Sequence, residues 1–164
     1  MTQQYKKFVP EGYRFFVYIA GPISTGSWDE NMQQATKAFI QLVHGGLIPF
    51  VPHATSQLVK EYIPAEAMHG LKTDSYEFWL DYDFSYIRDV CHCIFRLPGS
   101  SWGGDREEEY ANALGLPVFT SIEEVLDFAE SLGYSIRREA ALKFGKSFDS
   151  AVRSGDKKRL AALI

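Results

Sequence analysis

The chain has 164 residues, 46% of them apolar and 15% aromatic, which is enough for one domain with a true core. A formal net charge of −4, with no basic run ahead of the C-terminal tail, argues against a nucleic-acid polymer as partner. No apolar run approaches membrane-spanning length, and no apolar stretch follows the N-terminal lysines as a signal peptide requires, so no membrane partner is expected.

Residues 1–13 are polar, contain Pro10 and Gly12, and read as an N-terminal arm. Arg14–Ala20 is a nearly unbroken apolar run, the pattern of a strand covered on both faces in a parallel sheet. It stops at Gly21-Pro22, where glycine admits a close backbone approach and proline stiffens the turn. Ser27 and Glu30 form a capping box that predicts a helix from about Trp28. Its expected buried stripe is Ala35, Ala38, Phe39, Leu42 and Val43, and Gly45-Gly46 ends it. Strand, loop and helix in this order make half of a βαβ unit.

Leu47–Val51 reads as a short second strand, with Pro49 marking an edge or an irregular end. Pro52-His53-Ala54 follows at its carboxyl end. Residues 54–73 suggest helical turns at Gln57–Tyr62 and Pro64–Gly70, in an insertion of the length used for lids and substrate loops. Asp74 with Glu77 predicts a helix running to about Asp89. Cys91–Leu97 is the third strand, with Cys91 and Cys93 expected on one face as buried thiols of a reducing, cytoplasmic compartment. Nothing else completes a metal site around them.

A Gly/Ser loop follows, then a helix of two to three turns for which Asp105 and Glu108 form the expected capping box. Pro117–Phe119 is the fourth strand. Ser121 and Glu124 cap a further helix with the stripe Ile122, Val125, Leu126 and Ala129, ended by Gly133. Residues 134–164 form a more basic helical extension broken at Gly145 and Gly155. The division is thus an arm over 1–13, an α/β domain over 14–133 and a helical segment over 134–164.

Two acids stand out from this patterning. Glu107 lies four residues before Ala111 and seven before Leu114, so it continues the buried stripe of its helix and points inward at the mouth of the loop. The helix dipole favours its ionised form, and complementing that dipole is the simplest account of it. Asp83 shares a face with Trp79, Ile87 and Val90. An acid in such a stripe is either paired in the core or functional.

Three segments line up in order: Tyr18-Ile-Ala-Gly-Pro-Ile-Ser24, Trp79-Leu-Asp-Tyr-Asp-Phe84, and Arg96-Leu-Pro-Gly followed by Ser101-Trp-Gly-Gly-Asp-Arg-Glu107. With Ala-Leu-Gly-Leu-Pro-Val118 they resemble the nucleoside 2-deoxyribosyltransferase-like superfamily, with the nearest likeness to its small DUF4406-type branch. The resemblance covers roughly residues 14–120 and leaves the tail outside. It implies a flavodoxin-like or Rossmann-like three-layer sandwich, with a mostly parallel sheet of four or five strands and an extra C-terminal helical segment. It further implies chemistry at the N-glycosidic bond of a nucleoside or nucleoside 5′-monophosphate. By position, Glu107 would be the nucleophile and Asp83 the partner acid. Gly21, Pro22, Ile23 and Ser24 would lie against base or sugar, and Ser101, Gly103 and Gly104 would approach the 5′ end. A homodimer or larger homo-oligomer is implied as well.

Tyr18 is a candidate for substrate contact or for the core. His53 is a candidate for orienting a base or phosphate, or a loop histidine. Trp102 is a candidate for stacking on a base. His92 is expected to be structural. Against the enzyme reading stands a binding module of the same fold that senses a nucleotide without turnover. A flavin-carrying flavodoxin ranks last, because no Ser/Thr-rich phosphate loop follows the first strand, and no cofactor is expected.

Overall fold

A computed structural model describes residues 14–55 and 76–163. The arm over 1–13, the turns expected within 57–70 and the Asp74 cap lie outside the described residues. The elements are β1 (Phe16–Ala20), α1 (Trp28–His44), β2 (Ile48–Phe50), α2 (Tyr76–Asp89), β3 (Cys93–Arg96), α3 (Trp102–Ala113), β4 (Val118–Phe119), α4 (Ile122–Ser131), α5 (Arg138–Ser154) and α6 (Lys157–Ala162). Residues 52–55 are also helical. The strands form one parallel sheet in the order β2-β1-β3-β4, a flavodoxin-like arrangement. β2 borders the described sheet, which is where Pro49 is tolerated.

Alternation along the strands divides the core in two. Phe15, Val17, Ile19, Cys93, Phe95 and Leu97 face α1, α4 and the first turn of α5, meeting Ala35, Leu42, Val125, Leu126 and Ala141. Tyr18, Ala20 and Ile94 face α2 and α3, meeting Ile87 and Ala111. Helices on both faces of a parallel sheet make the expected three-layer α/β sandwich.

Several details differ from the sequence reading. Cys91 and Cys93 are both buried thiols, but on opposite sides of the sheet. β3 begins only at Cys93, so strand alternation does not extend back to Cys91. On α1 the buried face is Asn31, Ala35, Ala38, Gln41 and Leu42, whereas Phe39 and Val43 are exposed. The stripe is rotated because α5 packs on the neighbouring face, with Lys37 paired to Asp149 and His44 stacked on Phe144. Gly145 does not break α5; it lies inside the helix where a Cβ would fall 2.6 Å from Gln41 Nε2. Gly155 does end the helix, in the left-handed conformation.

His92 is structural in its contacts. Its Nδ1 accepts from the Phe16 N–H at 3.0 Å, its ring stacks on Phe15, and Nε2 pairs with the Tyr134 hydroxyl at 3.2 Å. That set fastens the start of β1 to the segment before α5, at the sheet end opposite the loops after β1 and β3.

Candidate functional site

After β1 the chain builds β2 on one side, and it later returns to build β3 and β4 on the other. The loops leaving β1 and β3 therefore part at the carboxyl edge, the crevice where ligands bind in open α/β sheets. A cavity of about 280 Å³ occupies that crevice.

The two loops are tied together before they part. Gly21 has no room for a side chain, since a Cβ would fall 2.7 Å from Leu97 Cβ. Ser101 is the N-cap of α3: its Oγ accepts from the Gly104 N–H at 3.0 Å and donates to the Gly21 carbonyl at 3.1 Å. This displaces the expected Asp105 cap and starts α3 one turn earlier. Asp105 instead pairs with Arg96 at 2.8 Å. On the other side, the Pro22 carbonyl accepts from His53 Nε2 at 2.9 Å, and Asn31 Nδ2 donates to the Ile23 and Thr25 carbonyls.

Both acids reach the cavity. Asp83 comes from α2 and Glu107 from α3, and each lines it while remaining buried. Gly21, Ser24, Ser101, Trp102, Gly103 and Gly104 line it too. Three predicted residues do not. Tyr18 is fully buried among the acids, where its hydroxyl donates to Glu107 Oε1 at 2.9 Å and also interacts with Asp83. Pro22 and His53 sit behind the loop, joined by the bond that fixes its course. Burial lowers the proton affinity of His53, and a carbonyl partner requires an N–H, so the ring holds the turn as a neutral donor. Trp102 is 56% exposed at the rim, with the Arg106 guanidinium 5.2 Å from its ring centre.

Electrostatics alter the expected charge states of the two acids. Burial pushes the Glu107 pKa up to about 8, reinforced by the Asp83 charge and opposed by Tyr18 and Arg96. Burial likewise pushes Asp83 up to about 7, opposed by its hydrogen bond with Tyr18. The expectation that the helix dipole keeps Glu107 ionised fails for a positional reason: α3 starts at Trp102, so Glu107 lies in its second turn, past the reach of the unpaired N–H groups. The acids act as a pair that shares protons near neutral pH. Tyr18, whose own pKa burial and the acids raise further, stays a neutral donor to that pair.

Ile23, expected with its loop against base or sugar, lines the cavity; Thr25, Pro52, Trp79 and Leu80, to which the sequence reading gave no site role, line it too. That reading gave none to Arg96 or Asn31 either. For Asn31 a signal was present: it lies four residues before Ala35, a polar residue in an otherwise apolar stripe. Among the described residues, no group of three or more His, Cys, Asp or Glu is placed to hold a metal ion. No described helix is long and apolar enough to cross a membrane.

Comparison with known proteins adds one likeness. A solved structure of a 2-deoxyribosyltransferase from the psychrotolerant bacterium Bacillus psychrosaccharolyticus is similar at 22% sequence identity, with a TM-score of 0.46, over 63% of this chain and 69% of that one. No protein-family model matches the sequence, and no curated protein does.

Proposed function

We propose that the protein acts on the N-glycosidic bond of a deoxynucleoside or its 5′-monophosphate, with Glu107 as nucleophile and Asp83 as proton donor. The observation that carries this reading is the meeting of two buried carboxyls at one tyrosine hydroxyl, in a cavity at the β1/β3 switch point. The ordered motifs that resemble the deoxyribosyltransferase-like superfamily supply the substrate class. Breaking a C1′–N bond builds positive charge on the sugar, and a carboxylate beneath C1′ captures it. Of the pair's two singly protonated forms, the one with the proton on Asp83 reacts: ionised Glu107 attacks C1′ as the C1′–N bond breaks, and the Asp83 proton passes to the departing base. A second base or water then attacks C1′ of the glycosyl-enzyme. Glu107 leaves as carboxylate and Asp83 takes up the proton of the incoming group. Tyr18 supports the first step by donating to the Glu107 carboxylate. An assembly of identical subunits in the cytoplasm is expected from the resemblance and from the buried thiols.

The test is a panel of deoxynucleosides and their 5′-monophosphates, incubated with and without a second base, with base release and exchange followed by chromatography. Glu107→Ala is expected to lower either activity by about 10³-fold or more. Unchanged turnover in a folded Glu107→Ala protein ends the claim.

A further inference from the structure

Arg96 is the last residue of β3, and its side chain is only 10% exposed. Its guanidinium makes four contacts that all bear on one segment. Nη1 donates to the Leu97 carbonyl at 2.8 Å, and Nη2 donates to the Gly99 carbonyl at 3.3 Å. Nη2 also pairs with Asp105 at 2.8 Å, and Nε lies 3.7 Å from Glu108. The group lies flat against Gly104, where a Cβ would fall 2.9 Å from Cζ. One planar cation thus joins the end of a strand, the loop after it and the first two turns of the following helix. A fork of fixed geometry suits that task, whereas an ammonium is a point charge on a flexible stem.

We infer that Arg96 is the positioning residue for Glu107: by clamping loop 97–101 to α3 it fixes where the carboxyl enters the cavity, and its charge makes ionised Glu107 easier to hold there. This rests on the proposed role of Glu107 in glycosyl transfer. The carboxyl faces Tyr18 from β1, Asp83 from α2 and Arg96 from β3, and no ionisable side chain from loop 21–25 lines the cavity. Asp83 opposes a Glu107 negative charge, while Tyr18 and Arg96 favour it. Asp105 and Glu108 neutralise part of the Arg96 charge. Arg96 is therefore the positive charge that acts on Glu107.

The experiment titrates the Glu107 carboxyl by carbon-13 NMR in the unliganded full chain, as wild type, Arg96→Met and Arg96→Lys. Thermal unfolding at pH 5 checks that each variant folds. Arg96→Met is expected to raise the Glu107 pKa by about one unit, while Arg96→Lys, keeping the charge without the fork, recovers part of the shift. In turnover assays both variants are expected to lose kcat with little change in KM. A folded variant with an unmoved Glu107 titration overturns the inference and leaves Arg96 a plain strut. If Arg96→Met does not fold, Arg96→Lys decides: a Glu107 titration identical to wild type, with kcat unchanged, also overturns it. The titration needs no substrate. A shifted Glu107 in a protein that releases no base would therefore sink the proposed function and leave Arg96 in place.

Discussion

Tyr18 holds a single hydroxyl between two acids, and its removal has a signed consequence. Its hydrogen bonds lower the proton affinity of both Glu107 and Asp83. Tyr18→Phe should therefore raise both pKa values and move the pH profile of kcat/KM to the alkaline side by about one unit, since a hydrogen bond to a charged group is worth about 1.5–3 kcal/mol. The wild-type profile should be bell-shaped, because the chemistry needs one proton on the pair, with limbs near the two shifted values. A pH–rate series on both proteins checks this; an unmoved profile in Tyr18→Phe would remove the tyrosine from the charge balance. Both acids were legible in the sequence, because an acid in a helical apolar stripe is visible from spacing alone. The partition of charge between them was not. It depends on where α3 starts, and that was decided by Ser101 bonding to Gly21, eighty residues away in sequence.

The elements show the same division between local and distant information. Ser121 and Glu124 make both bonds of a capping box, and the buried stripe of α4 is the one the periodicity predicts. Those signals lie within a few residues of one another. Helices α3 and α5 departed from expectation where a glycine met a side chain from another element. Gly104 abuts Arg96 from the preceding strand, and Gly145 abuts Gln41 from α1, far away in sequence. Gly104→Ala should accordingly push the guanidinium off α3, costing about 1–3 kcal/mol of stability by overpacking despite the better helix propensity of alanine. Urea unfolding checks this. A stabilised Gly104→Ala protein would mean that the guanidinium moves aside freely.

For the molecule as a whole, the buried pair sets a stability cost with a definite pH window. Both carboxyls have folded-state pKa values above their ordinary ones, Asp83 from 3.8 to about 7 and Glu107 from 4.5 to about 8. The folded state thus binds more protons than the unfolded chain across that interval. The contribution is fully present below about pH 4 and is lost as pH rises through about 8. The Asp83→Asn, Glu107→Gln double variant carries no such charges, so its advantage over wild type should grow from near zero at pH 4 to several kcal/mol at pH 8.5, each pKa unit being worth about 1.4 kcal/mol. Urea midpoints across that range measure it, and a constant gap would show that the carboxyls titrate as they do in water. The alternation of strands and helices was readable from the order of apolar runs and caps, since each is a local signal repeated along the chain, whereas the three-layer sandwich came from the resemblance.

The two-sided core has a further consequence. Val17 and Ile19 look toward α1, α4 and α5, while Tyr18 between them looks toward the acids. The two acids and their tyrosine are thus confined to one side of a single layer of backbone. The opposite half is an independent reserve for engineering: substitutions that raise the melting point there need not trade against turnover, as stabilising changes beside a strained catalytic centre commonly do.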